Sequence, residues 1–253
     1  MNVAEKQNKI MARIHQHLDA VRATGREWVG IFLQGSQNYE LDYAGSDVDT
    51  KAILLPNFSD FVLCSKPVST THIMENNEHV DLKDIRLMFE CIKKQNVNFV
   101  EILFTRYRIL NPKYADLFQP VLDACEEIAR YNNYAGMNCL MGMALEKQKA
   151  MEHPYPGTMD KIEAFGYDPK QLHHALRMRE FMTRYMAGEP YAECLVSNDR
   201  DFLMEVKRGD YPLEQARAMP TSSSIWTRCQ YKSTGTLIWC FALLRLKSSS
   251  GAS

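Results

Sequence analysis

The sequence has no long hydrophobic run, no cysteine pair at redox or zinc spacing, no internal repeat and no excess of one charge. Each absence excludes something. The most apolar stretch, Leu237 to Leu246, is about half the ~20 residues that a membrane span needs, so no membrane partner is expected. Cys64, Cys91, Cys125, Cys139, Cys194, Cys229 and Cys240 are odd in number and never spaced C-x-x-C, which argues against a disulfide framework or a zinc knuckle. Met1 to Leu18 is polar and mixed in charge, unlike a secretory signal, and a cytoplasmic protein with reduced thiols is expected. Lys and Arg total 30 against 31 Asp and Glu, a net charge of −1. A near-neutral chain has no global attraction for nucleic acid or an anionic membrane, so any phosphate binding must be local.

The residues that are present suit a folded chain: 45% are hydrophobic and 24% charged. The length of 253 residues suggests one or two domains at ~150 residues each. Val3 to Ala23 reads as an amphipathic helix with Ile10, Ile14, Leu18 and Val21 on one face. Trp28 to Leu33 reads as a buried strand and Val48 to Leu55 as a second, stopped by Pro56. Thr70 to Met74 and His79 to Leu82 flank Asn76-Asn77 and form a predicted hairpin. Asp84 to Lys94 is predicted helical, with Ile85, Met88, Phe89 and Ile92 on one face, and Phe99 to Phe104 is a third apolar run. Beyond Pro112 only helices are expected: Tyr114–Arg130, Asn133–Met151, Pro169–Ala187 and Asp199–Lys207. Strands with helices, then helices alone, predict a mixed α/β (α+β) domain over 1–110 and a helical domain over 111–220. Residues 221–253, Ser/Thr-rich at both ends and without acidic residues, read as a flexible tail.

The most informative segment is FLQGSQNYELDYAGSDVDTKAIL, Phe32 to Leu54. An apolar strand runs into Gly35-Ser36, ten residues intervene, and Asp47-Val48-Asp49 opens the next strand. Residues two apart in a strand point to one side, so Asp47 and Asp49 are expected to present two carboxylates together. Such carboxylates repel unless a cation lies between them, and their hard oxygens suit Mg²⁺ with room left for phosphate oxygens. Gly35 permits close approach of backbone to ligand, and a helical turn after Ser36 would aim free N–H groups at an anion. An isolated D-x-D is most often a solvated turn; the strand, the Gly-Ser turn and the second strand together read as a site for phosphoryl or nucleotidyl transfer. A third carboxylate is expected to activate the acceptor. Asp81, between apolar neighbours on a predicted strand, is the candidate, with Glu75 as the alternative and Asp84 as a helix cap.

The helix opened by Asp168-Pro169 carries a second constellation. Lys170, His174, Arg177 and Arg184 follow one another at steps of four, three and seven residues, which stacks them along one side of a helix. This basic stripe is expected to lie opposite an apolar face and to meet phosphate, with His173 structural.

The Gly-Ser, ten-residue gap and D-V-D pattern resembles the nucleotidyltransferase signature of the DNA polymerase β superfamily. Asp84 to Phe104, Tyr167 to Met178 and Phe202 to Ala216 resemble its RNA repair pathway polymerase β (RlaP) branch, and the likeness spans about residues 28–218. It implies a polymerase-β-like sheet with flanking helices, followed by a helical domain that completes a nucleotide cleft. Gly35 and Ser36 would hold a triphosphate, and Asp47 and Asp49 would bind catalytic Mg²⁺, two ions in all, with Mn²⁺ as a substitute. Asp81 would be the third acidic residue. Lys170, His174 and Arg177 match the branch's Lys…His…Arg helix in pattern, and their phosphate role is inferred from charge. The implied reaction transfers a nucleoside monophosphate from an NTP, ATP first among them, to a hydroxyl of an RNA end, a protein or a small molecule, and releases pyrophosphate. The competing expectation is an antitoxin-like or regulatory nucleotide-binding protein that acts through a protein partner. The chain after about Met219 departs from the family pattern.

Overall fold

The computed structural model describes residues 3–219 apart from residue 44. The tail over 221–253 lies outside the described residues. The architecture is mixed α and β, and the chain divides into two compact units at 139/140 rather than at 110/111.

The first unit opens with α1 (Val3–Ala23), which buries Ile10, Ile14, Leu18 and Val21 as their spacing predicts. His17 falls on the same stripe and is fully buried. Next come β1 (Trp28–Gln34), a 3₁₀ turn (Ser36–Tyr39), β2 (Asp49–Leu54) and α2 (Phe58–Val62). The hairpin strands β3 (Ser69–Ile73) and β4 (His79–Asp84) follow, then α3 (Ile85–Lys93) and α4 (Val97–Val100). A 3₁₀ turn (Glu101–Leu103) and β5 (Arg108–Leu110) lead to α5 (Ala115–Asp123) and α6 (Cys125–Arg130). The apolar run Phe99–Phe104 is thus helical turns; it is built of α4 and a 3₁₀ turn around buried Phe99, Val100, Ile102 and Leu103. The single helix expected over Tyr114–Arg130 is two, parted at Ala124.

The strands form one sheet in the order β3-β4-β2-β1-β5. All neighbours are antiparallel except β2 and β4, which pair parallel with Lys51 opposite Asp81. Alternation along each strand feeds two cores. On one face α1 packs Ile10, Ile14 and Leu18 against Ile31, Leu33, Ala52, Leu54 and Val80. On the other, Phe32 and Ile53 meet Met88, Ile92, Phe99 and Ile102, and Phe118 and Leu122 of α5 complete the cluster. That packing is why α5 belongs with the sheet and why the division falls later than the composition shift suggests. Phe89, expected on the packed face of α3, is half exposed.

The second unit holds α8 (Met159–Phe165), α9 (Pro169–Met186), α10 (Tyr191–Leu195), α11 (Arg200–Arg208) and α12 (Leu213–Ala218), while α7 (Asn133–Ala150) contains the dividing residue. α9 is its centre: Leu172, Leu176, Phe181 and Tyr185 are buried, and Tyr191 stacks edge-on against Phe181 at 4.9 Å. Among the described residues no helix is long and apolar enough to cross a membrane.

Asp84 shows how the sheet hands over to α3. Its carboxylate caps the helix through Arg86 N–H at 2.8 Å and grips the Arg86 guanidinium at 3.0 and 2.8 Å. Burial alone would raise its pKa, but the Arg86 bonds outweigh burial and hold it below the ordinary value. A carboxylate with a depressed native pKa contributes stability above its unfolded pKa and loses that contribution as pH falls through the native one. Asp84→Asn keeps the cap but forfeits the charge-assisted bonds, which costs about 1.5–3 kcal/mol in urea unfolding at pH 7. The gap between variant and wild type narrows as pH falls below about 4, where the wild-type carboxyl also protonates.

Candidate functional site

The sequence candidates of the first unit converge at one end of β1, β2 and β4. β1 ends at Gln34, and Gly35 turns the chain with φ 89° and ψ −164°. That combination is open essentially to glycine alone. Beyond its chain neighbours, no atom lies within 4 Å of where a Cβ would stand on Gly35, so the backbone conformation, and not crowding, demands glycine there. The expected helical turn is a short 3₁₀ turn, Ser36–Tyr39, whose first residues precede its internal hydrogen bonds. Two side chains of the turn pin it. Asn38 Nδ2 donates to Leu33 O at 2.8 Å while Asn38 Oδ1 accepts from Thr105 Oγ1 at 2.7 Å. Gln37 Nε2 donates to Asp47 O at 2.9 Å, which ties the Gly35-Ser36 turn to the D-V-D segment.

β2 begins at Asp49, not Val48, so Asp47 is an exposed loop residue. The strand argument that put Asp47 and Asp49 on one side therefore does not hold for Asp47. The ladder with β1 ends at the Gln34–Asp49 pair, and before it the chain is held by side chains. Alternation instead groups Asp49 with Asp81. Both lie on the face that carries Lys51, on adjacent parallel strands, with Asp81 opposite Lys51 and so two residues along from Asp49 in register. Asp49 Oδ1 accepts from the His79 backbone N–H at 2.9 Å and lies 3.2 Å from His79 Nδ1. Asp81 accepts from Thr71 Oγ1 at 2.6 Å and from Gln34 Nε2 at 3.2 Å, with Lys83 Nζ 3.8 Å away. Gln34 also reaches Thr50 O, so β1 spans both acidic strands. As expected, Asp84 is the helix cap and Asp81 is not.

Several neighbours carry no sequence signal of their role. Lys51, 2% exposed, donates to Asn98 O and stands over the Phe99 ring at 4.5 Å; burial lowers its pKa. On the opposite face of the sheet Glu78, 6% exposed, accepts from Val48 N–H at 3.2 Å and from Arg13 Nε at 2.8 Å. His17 Nε2 lies 3.0 Å from Glu78 and its Nδ1 3.0 Å from Thr50 Oγ1. Burial lowers the His17 pKa against the raising effect of Glu78, so the neutral ring donates from Nε2 and accepts the Thr50 hydroxyl at Nδ1. The one legible hint was a histidine on the apolar stripe of α1. Glu78, at a hairpin end, gave none.

Among the described residues no group of three His, Cys, Asp or Glu forms a preassembled metal cage. The donor chemistry still fits a hard divalent cation. Among the described residues the Asp47 carboxylate and Asp49 Oδ2 accept no hydrogen bond, while neutral donors orient Asp49 Oδ1 and Asp81. Asp47, Asp49 and Asp81 would supply oxygen ligands only, as Mg²⁺ prefers.

Lys170, His174 and Arg177 lie on α9 of the second unit. Asp168 caps that helix through Lys170 N–H at 2.8 Å and Pro169 fills its first position, as the sequence predicts. The stripe is not a solvated basic face. Lys170 is exposed, His174 partly buried, and Arg177 4% exposed. Arg184 is buried and paired with Glu189 at 2.7 Å and Glu180 at 3.7 Å; Glu180, four residues earlier, is the one acid that helical spacing offers the stripe, whereas Glu189 lies beyond the helix and spacing did not reveal it. His173 is structural, as expected: its Nδ1 donates to Leu203 O at 2.9 Å. Burial, with the nearby cations Lys207, Arg177 and Lys170, lowers its pKa to about 4. His174 is also held well below its ordinary value, chiefly by burial.

No protein-family model matches the chain, and no curated protein matches it.

Gly35→Ala should cost about 1–3 kcal/mol of stability through backbone strain alone, read as a lower thermal midpoint, because the site of the added methyl is open space. A second expectation concerns acid. His173 titrates near 6.5 unfolded and about 4 folded, so its contribution is complete above pH 6.5 and is lost as pH falls through 4. His173→Asn, whose amide can still donate to Leu203 O, should flatten the stability–pH slope between these limits by up to about 1.4 kcal/mol per pH unit.

Proposed function

We propose that this protein is a metal-dependent nucleotidyltransferase of the DNA polymerase β type. The observation that carries the reading is the joint placement of Asp49 and Asp81 on one sheet face, with the Gly35-Ser36 turn tethered by Gln37 to Asp47 at the same sheet end. The substrate is an NTP, ATP first among them, and the acceptor is a hydroxyl of an RNA end, a protein or a small molecule.

Each residue has a distinct task. Gly35 and Ser36 bring main-chain N–H groups close to phosphate oxygens, through a turn whose backbone angles at position 35 need glycine. Asp47, Asp49 and Asp81 hold Mg²⁺, two ions in all, with Mn²⁺ as a substitute. When bound, the metal neutralises charge that develops on the attacking and leaving oxygens. Asp81, fixed by Thr71 and Gln34, is oriented to accept the acceptor proton. His79 holds Asp49 through its main chain and so keeps that carboxylate aimed. The rest is positioning and electrostatics. Lys170, His174 and Arg177 of α9 enter the reading through the family resemblance and their charge alone, as candidates for binding phosphate.

Incubation with each α-³²P-labelled NTP and Mg²⁺, against RNAs, small molecules and proteins, tests the reading. Wild-type protein should transfer label to one acceptor class. Asp49→Asn should abolish transfer while its thermal midpoint stays within a few degrees of wild type, since a partly exposed carboxylate is lost and not a core group. Undiminished transfer by the Asp47→Asn/Asp49→Asn double variant would sink the site.

A further inference from the structure

The acidic motif is braced from behind by a charged cluster that touches none of the three carboxylates. Val48 lies between Asp47 and Asp49, and its N–H has no strand partner because β2 starts one residue later. Glu78 supplies the missing acceptor. It stands just before β4, beside the start of β2 in the parallel ladder, and its Oε1 receives Val48 N–H at 3.2 Å. The other oxygen, Oε2, is held by Arg13 Nε and Nη2, each at 2.8 Å, and by His17 Nε2 at 3.0 Å. His17 in turn holds Thr50, the residue after Asp49. The next residue after Glu78, His79, holds Asp49 Oδ1 from the opposite face. The end of the β3–β4 hairpin, closed by Met74 N–H to Glu78 O at 2.9 Å, therefore grips D-V-D on both sides of the sheet.

A buried carboxylate is costly unless it is paired, and removing one partner leaves an uncompensated charge. Three donors on one oxygen settle Glu78 in place; the second oxygen is then free to fix the peptide between two acidic residues that repel each other. Gln37 Nε2 already holds the carbonyl end of that peptide, Asp47 O, at 2.9 Å, and Glu78 holds its N–H end. Without Glu78 the peptide keeps one tether of its two and can tilt about it, which turns Asp47, a loop residue whose side chain accepts no hydrogen bond among the described residues, relative to Asp49.

We infer that Glu78, anchored by Arg13 and His17, is the positioning residue that holds Asp47 and Asp49 in the orientation that lets them share one divalent cation. The inference rests on the metal-dependent reading above.

Mn²⁺ alone, its free fraction read by electron paramagnetic resonance, separates the two claims. Wild type should bind Mn²⁺ and Asp49→Asn should not; equal binding by both overturns the metal-dependent reading itself. Given that difference, Glu78→Asp keeps the charge but is one methylene too short to span Val48 and the Arg13–His17 pair. It should weaken Mn²⁺ by about tenfold to a hundredfold, the range typical of residues that orient metal ligands. It should also speed hydrogen exchange at the Val48 amide. Glu78→Ala should do the same more severely, and the aspartate variant stands alone if the alanine variant does not fold. Leu122→Ala, in the core on the other side of the sheet, should lower the thermal midpoint yet leave Mn²⁺ affinity within about twofold and Val48 exchange unchanged. Wild-type affinity in Glu78→Asp overturns the positioning role. So does an equal loss in Leu122→Ala, because the effect would then follow stability and not orientation.

Discussion

The parallel pairing of β2 with β4 is the constraint on which the first unit depends. In a sheet otherwise antiparallel it places the strand that starts with Asp49 beside the strand that carries Asp81, with like faces aligned. A register slip of one residue would send Asp81 into the α1 core and Val80 to the acidic face. Such a slip is blocked because Val80 and Leu82 are needed against α1 and because Asp84 must emerge where it can cap α3. The acidic face is thus fixed by apolar residues that never touch it. Parallel strands also require a connection that crosses over, which α2 and β3 supply between β2 and β4.

The sheet has an uneven distribution of charge. The interior face beneath the acidic residues holds Lys51, whose ammonium is stripped of water and steadied by a carbonyl and an aromatic ring. The other face holds Glu78 with Arg13 and His17. Two buried ionic groups of opposite sign therefore flank the same short stretch of β2. Each is satisfied by its own partners, so neither has to neutralise the other across the sheet. The carboxylates at the end of the strand are left to the solvent side.

How much of this was legible in the sequence differs by element. Ile10, Ile14, Leu18 and Val21 recur at helical spacing, and α1 has the bounds they predict. Asn76-Asn77 marks the hairpin, with Asn77 in the left-handed region at φ 64°. Asp168 and Pro169 mark the start of α9. The acidic residues were visible as chemistry, but their grouping was not. Periodicity joined Asp47 to Asp49, whereas strand register joined Asp49 to Asp81, and register is a long-range property that no local window contains. At Arg184 the basic stripe of α9 differs from its reading for a related reason. Helical spacing locates a side chain around its own axis, but only the fold says that Glu189, beyond the end of the helix, returns to pair with Arg184. The boundary shift near 110 was real as a change of element type, yet Phe118 and Leu122 bind α5 to the sheet.

Gly35 has a consequence for how such a site can diverge. Where a ligand is met by peptide groups, the side chains along the turn carry little of the selective load, and residues such as Ser36 can be exchanged without erasing the recognition surface. Position 35 is different, since its backbone angles admit almost no other residue. A scan that replaces side chains one at a time would register a single sensitive point and overlook the amides around it. Two descendants of this chain could therefore share the same turn of main chain while agreeing at little more than one glycine, with similarity kept in main-chain shape after it has drained from the letters of the sequence.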